Sequence, residues 1–245
     1  MSTYDYKAGK NRVENILDCR TEVIETYYIP SEEQFTYENG YYGWVSAIFV
    51  DIRDSTSLFQ NTDKVKVSKI IRSFTSEIIE IFRNDPHWKD IGIRGDCVYA
   101  IYSTPSKEAI YEMVDKAACV NSYIRALNQL LTKRNYPSLQ VGIGVSSAQE
   151  LVVKAGRKSS GIMDFVWIGK AVTTASNLSS LGNRKGVKPI VFSQLCYDNF
   201  IEQLSKKYPS ASSWFSKGSI SLFESYYSAD LVDQDINKWI DDGML

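Results

Sequence analysis

The chain has 245 residues, 44% of them hydrophobic, enough to bury a substantial core in one large domain with terminal extensions. Its 28 Lys and Arg stand against 29 Asp and Glu, and the net charge of −1 argues against the global basic field that nucleic acid or an anionic membrane surface would need. Four cysteines without C-x-x-C spacing and a single histidine, His87, argue against a zinc site and a His-based triad and favour free thiols.

The opening Met1-Ser2-Thr3-Tyr4-Asp5-Tyr6-Lys7 lacks the apolar core of a secretory signal, and no run reaches about 18 apolar residues. The expected location is therefore the cytoplasm, with no direct membrane contact. Val13, Ile16 and Leu17 at helical spacing within residues 5–28 predict a helical arm, taken as residues 1–41, and Asn39-Gly40 reads as a turn. Trp44-Val45-Ser46-Ala47-Ile48-Phe49-Val50 is a buried-strand pattern, followed by Asp51 and by the polar run Asp54-Ser55-Thr56-Ser57, which offers helix caps and unpaired amides. Val67, Ile70, Ile71, Phe74, Ile78, Ile79 and Phe82 predict an amphipathic helix that Pro86 closes, with His87 in the loop. A hairpin follows, turning at Gly95-Asp96.

A second long helix is predicted over 107–133, and Pro137 separates it from two strands, Leu139 to Val145 and Leu151 to Val153, read as an antiparallel pair. A loop from Lys154 to Gly161 leads to a strand ending at Gly169 and to a third helix carrying Val172, Ala175 and Leu178. The catalytic unit is taken as residues 42–193. Residues 194–245, with a helix near Leu195 to Leu204 and a strand near Ser225 to Val232, form an extension expected to pack on it. The order predicts an α+β fold of the ferredoxin-like or palm type, βαββαβ, with two helices on one sheet face.

Asp51 alone is an ordinary strand-end acid or helix cap, and Asp96 alone is ordinary hairpin chemistry. Together, separated by one helix in a palm-like order, they predict a site for two hard cations, Mg²⁺ or Mn²⁺, that hold a triphosphate for in-line displacement.

The segments Phe49-Val50-Asp51-Ile52-Arg53-Asp54-Ser55-Thr56, Gly95-Asp96, Val141 to Val145 and Trp167 to Leu178 resemble class III nucleotide cyclases in order and spacing, over about Trp44 to Phe192. The resemblance implies a head-to-tail homodimer with active sites at its interface. One protomer would give Asp51 and Asp96 to the metal ions, with Ile52 in the metal set, and Ile52 and Arg53 with the following amides would surround the triphosphate. The other protomer would give Thr173 and Asn177, which fall where the family carries an Asn and an Arg that steady ribose and transition state.

Purine-specific members carry a Lys where this chain has Gly92 and often an Asp where it has Val166. With both metal ligands kept, the chain is most similar to the pyrimidine cyclases of bacterial anti-phage Pycsar systems, which implies UTP or CTP as substrate and a cyclic product that acts on a separate effector. The missing guanidinium at Asn177 leaves a cation to be found. Arg94, which also suits a pyrimidine carbonyl or an ion pair, is one candidate; Lys154, Arg157 and Lys158 are others, a solvated charged loop being the plainer reading. Tyr42, Trp44 and Tyr99 would narrow the base pocket or simply fill core. Rival readings are a non-catalytic nucleotide-binding module, a purine cyclase and a palm-type polymerase, the last disfavoured by the neutral charge. Asp51→Asn and Asp96→Asn are each expected to abolish product and leave folding intact.

Overall fold

The computed structural model describes residues 4–157, 160–221 and 224–245. In chain order they form α1 (Tyr6–Leu17), β1 (Glu22–Glu25), β2 (Asn39–Ile52), α2 (Ser55–Gln60), α3 (Lys64–Arg83), β3 (Trp88–Arg94), β4 (Cys97–Ser103), α4 (Lys107–Thr132), β5 (Val141–Arg157), β6 (Ile162–Gly169), α5 (Lys170–Ser179), β7 (Ile190–Ser193), α6 (Gln194–Lys207), β8 (Ser216–Ser221), β9 (Glu224–Ala229) and α7 (Gln234–Asp241). The nine strands make one sheet in the order β3-β4-β2-β5-β7-β9-β8, with β1 on β2 and β6 on β5. Among the described residues no helix is long and apolar enough to cross a membrane.

The unbroken apolar run of β2 follows from its central place, because both of its faces are covered. Ile48, Val50 and Ile52 point to a core shared with α3, α4 and α6. Val45, Ala47 and Phe49, one residue out of phase, point to a second core with Ile29, Phe35 and two alanines of α5, Ala171 and Ala175. The 3.6-residue period of α3 buries Ile70, Phe74, Ile78 and Phe82 against the first core, each contributing about 1.5–3 kcal/mol of transfer free energy. Asp63 caps that helix by accepting from the amides of Val65 and Lys66. The α+β architecture and the hairpin agree with the sequence expectation.

Three local expectations are corrected. Asn39-Gly40 is no turn: it opens β2, with β1 on one side and β5 on the other, so its backbone is held in a ladder. The two predicted strands at 139–145 and 151–153 are one strand, β5, paired with β2 without interruption from Val141 opposite Ile52 to Val153 opposite Gly40. Its polar middle stays in the sheet because it is satisfied there: the Ser147 and Ser46 hydroxyls share a 2.6 Å hydrogen bond, and Glu150 Oε1 accepts from the Val172 amide at 3.0 Å. Residues Lys154 to Arg157 likewise continue β5 against β6 rather than forming a loop. β1, α2, β8 and α7 escaped the sequence reading; each is short.

Gly142 and Gly144 let α5 lie directly on β5. A Cβ on Gly144 would stand 2.0 Å from the Ala175 carbonyl oxygen, and one on Gly142 2.1 Å from that of Ser179.

Candidate active site

β2 delivers Asp51 at its last turn of ladder, opposite Cys97 of β4. Asp96 precedes Cys97 in the tight turn whose left-handed corner is Gly95, φ +61°. The two acids, 45 positions apart in sequence, thereby line one open cleft of about 600 Å³, together with Ile52, Asp54, Ser55, Thr56, Ser57, Gln60 and Arg184. The predicted convergence of Asp51 and Asp96 is present within one chain.

Arg53 folds back beneath the acids. Its side chain is 3% exposed and pairs with Asp51 Oδ2, while Nη1 donates to the Ser180 carbonyl at 2.8 Å and the Arg53 amide donates to that of Gln140 at 2.7 Å. Both groups expected to face the triphosphate are thus committed inside the protein, so Arg53 orients Asp51 and ties its strand to the segment after α5. Burial raises the Asp51 carboxyl above its ordinary value; Arg53 opposes this and the neighbouring Asp96 adds to it. The Cys97 thiol is pushed up to about 12 by burial and by the same two acids.

Among the described residues no group of three or more His, Cys, Asp or Glu side chains is placed to hold a metal ion. The cleft is instead lined by three carboxylates, Asp51, Asp54 and Asp96, of which Asp54 pairs with Arg184, and by Ile52, a sparse all-oxygen set. That fits Mg²⁺ or Mn²⁺ held by one or two carboxylates, with water and substrate phosphates completing the shell, and fits no soft metal.

Thr173 and Asn177 are exposed on successive turns of α5 and do not line this cleft; the Thr173 hydroxyl donates to the Gly169 carbonyl at 2.7 Å. Arg94 lies outside it too, with its guanidinium 5.8 Å from the Tyr99 ring centre. Lys154 is spoken for, pairing with Glu32 at 3.0 Å, and Arg157 ends β5 away from the cleft lining. Lys158 lies outside the described residues.

At the positions where purine cyclases carry their readers, Gly92 faces the Tyr99 ring so closely that a Cβ would come within 2.5 Å of it, and Val166 is exposed. Tyr99 stacks on Phe49, with ring centres 5.2 Å apart. Beside it the Trp167 indole N–H donates to Asp90 at 3.1 Å, and burial raises the Asp90 carboxyl.

Two residues escaped the sequence reading. Arg184 enters the cleft from the turn after α5; the surrounding Gly182-Asn183 and Lys185-Gly186 signal a loop but not its direction. Glu150 is fully buried at the start of α5, with Oε2 unpartnered. An acid in a polar stretch gives no sign of burial.

The family model described as the adenylate and guanylate cyclase catalytic domain matches residues 37–198, two thirds of the chain. The chain belongs to that cyclase family. Every residue of the cleft lies inside the matched region of this cyclase. It is 50% identical over 248 residues to a uridylate cyclase of Treponema porcinum, covering 99% of this chain and 82% of that one. A uridylate cyclase of Gulbenkiania mobilis is 29% identical over 251 residues, covering 98% and 97%. Among solved structures, a class III adenylyl cyclase-like ATP-binding protein from Pseudomonas aeruginosa superposes with a TM-score of 0.70 at 15% identity, over 96% of this chain and 48% of that one, which speaks for the fold alone.

Proposed function

We propose that this cyclase converts UTP to 3′,5′-cyclic UMP and pyrophosphate, CTP being the second choice. The observation that carries the chemistry is the convergence of Asp51 and Asp96 on one phosphate-sized cleft. The substrate rests on the half-identical relative named a uridylate cyclase and on Gly92, a glycine under the Tyr99 ring where a purine-reading lysine is expected.

In the reaction the ribose 3′-oxygen bonds to the α-phosphorus, the bond from that phosphorus to the bridging oxygen breaks, pyrophosphate leaves, and the 3′ proton passes to water. Asp51, the Ile52 carbonyl and Asp96 would hold two divalent cations, which would supply positive charge to the attacking and leaving oxygens. Arg53 holds Asp51 in the ligating orientation, so that side chain loses no rotamer freedom on binding. Ser55, Thr56 and Ser57 offer donors along the cleft wall. Thr173 and Asn177 of the partner subunit give neutral hydrogen bonds to ribose or phosphate at an interfacial site, and Arg94, outside the cleft of its own chain, meets a pyrimidine carbonyl in the partner's site. Residues 42–193 are the catalytic unit, flanked by the 1–41 arm and the 194–245 extension. Similarity to the Pycsar cyclases supports the reading of the product as a cytoplasmic signal in anti-phage defence.

The test is incubation of the pure protein with each of four nucleoside triphosphates and Mn²⁺, with products identified by mass spectrometry. Cyclic UMP with equimolar pyrophosphate is expected. Cyclic purine nucleotides alone would make it a purine cyclase; tight nucleotide binding without any cyclic product would make it a binding module.

A further inference from the structure

The cleft carries three carboxylates, Asp51, Asp54 and Asp96, and its lining includes one cationic side chain, Arg184. Arg53, the other guanidinium nearby, is buried and fully engaged. The backbone that presents Arg184 is firmly held. The Arg184 amide donates to the Leu181 carbonyl at 3.2 Å, and its own carbonyl accepts from Val187 at 2.9 Å. Asn183 Nδ2 donates to the Val141 carbonyl at 2.8 Å, and Arg53 grips Ser180 at the start of the same turn. Asn183 and Lys185 on either side adopt left-handed backbone, φ +56° and +50°, which fixes the direction in which Arg184 leaves the chain.

The side chain itself is lightly held. It is 52% exposed, and its one ion pair is a 3.4 Å approach of Nη2 to Oδ1 of Asp54, itself 82% exposed. Such a pair contributes little in water and exchanges readily for a better anion. A pyrophosphate or triphosphate group offers one, with paired oxygens that match the guanidinium fork. With divalent ions on Asp51 and Asp96, a bound triphosphate would keep residual negative charge on its outer phosphates, and Arg184 is the cationic side chain in the cleft lining that would meet it.

We infer that Arg184 is the polyphosphate-binding cation of this site, given by the same chain as the aspartates, and that it leaves Asp54 for the terminal phosphates when the nucleotide binds. This answers the absence of a guanidinium at Asn177: charge in the leaving pyrophosphate is met from the turn after α5 rather than from the helix. The inference rests on the reading of the cleft as a triphosphate site.

The experiment measures binding of tripolyphosphate in the presence of Mn²⁺ by calorimetry, and of Mn²⁺ alone by electron paramagnetic resonance, for wild type, Arg184→Ala, Arg184→Lys and Asp96→Asn. Removing a charge-assisted contact is expected to weaken tripolyphosphate about tenfold in Arg184→Ala, with partial recovery in Arg184→Lys and Mn²⁺ binding unchanged in both. KM for the nucleotide and inhibition by pyrophosphate shift in parallel. Wild-type binding that Asp96→Asn loses and Arg184→Ala keeps within twofold would overturn the role of Arg184 and leave the cleft reading standing. Wild type that binds no Mn²⁺–tripolyphosphate would overturn both.

Discussion

At the scale of single residues, the two aspartates are not equivalent. Asp96 sits on a turn with no ion-pair partner recorded among the described residues, whereas Asp51 balances the buried guanidinium of Arg53. Asp96→Asn is therefore expected to abolish cyclic product with the melting temperature unchanged. Asp51→Asn should abolish product and also lower the melting temperature, because it strips a buried charge of its partner at a cost of about 1–3 kcal/mol. This modifies the sequence expectation that both substitutions spare folding, and thermal melts beside product assays decide it; equal stability of the two variants would contradict the role given to Arg53. Glu150 gives a prediction of a different kind. Burial raises its carboxyl above the usual 4.5, so the folded chain holds that proton more tightly than the unfolded chain. The associated stability is complete below about pH 4.5 and is lost as pH climbs through the raised value. Glu150→Gln, which keeps an acceptor for the Val172 amide, is expected to show a smaller fall in melting temperature from acid to mildly alkaline pH than wild type. Parallel curves for the two proteins would refute it.

At the scale of elements, the close seat of α5 on β5 is the feature most exposed to substitution. The Ala175 carbonyl stands where a side chain on residue 144 would go. Gly144→Ala must push α5 off the sheet, at a cost of about 3 kcal/mol or more given backbone on both sides, and should lower activity by displacing Thr173, Asn177 and the Arg184 turn together. Chemical denaturation with a nucleotide titration would show it, and a variant as stable as wild type would mean the helix yields freely. Elements with a strong period were legible in the sequence: β2 by its double-sided apolar run, α3 and α4 by their stripes, and the hairpin by Gly95. What stayed hidden depended on partners distant in the chain. The polar centre of β5 reads as a break until Ser46 and the α5 amides are known to satisfy it. Arg184 reads as loop until the turn is seen to be pinned to Val141 and Arg53. The meeting of Asp51 and Asp96 in one cleft is legible because each ends or turns a recognisable strand, while the inward course of Arg53 is not, because sequence cannot say whether a guanidinium points out or in.

At the scale of the whole molecule, the proposed site needs groups that one chain does not bring together. Its cleft gathers the acids and Arg184, yet Thr173 and Asn177 face solvent elsewhere on α5. The rim near the purine-reader positions is also apolar and uncovered, with Ile93 on β3 and Ile162, Met163, Val166 and Ile168 on β6 exposed. Exposed apolar residues in such number suit burial against another protein, as the proposed interfacial arrangement requires. The consequence is measurable by complementation. Asp96→Asn is expected to be inactive, and a Thr173→Ala/Asn177→Ala double variant is expected to be severely impaired. In a mixed dimer one site combines both defects and the other has neither, so a re-equilibrated equal mixture should recover about a quarter of wild-type activity per total protein, half the dimers being mixed with one good site each. Activity no greater than the sum of the two separate variants would mean that each chain completes its own site, and the interfacial arrangement would have to be abandoned while the metal assignment of Asp51 and Asp96 remained.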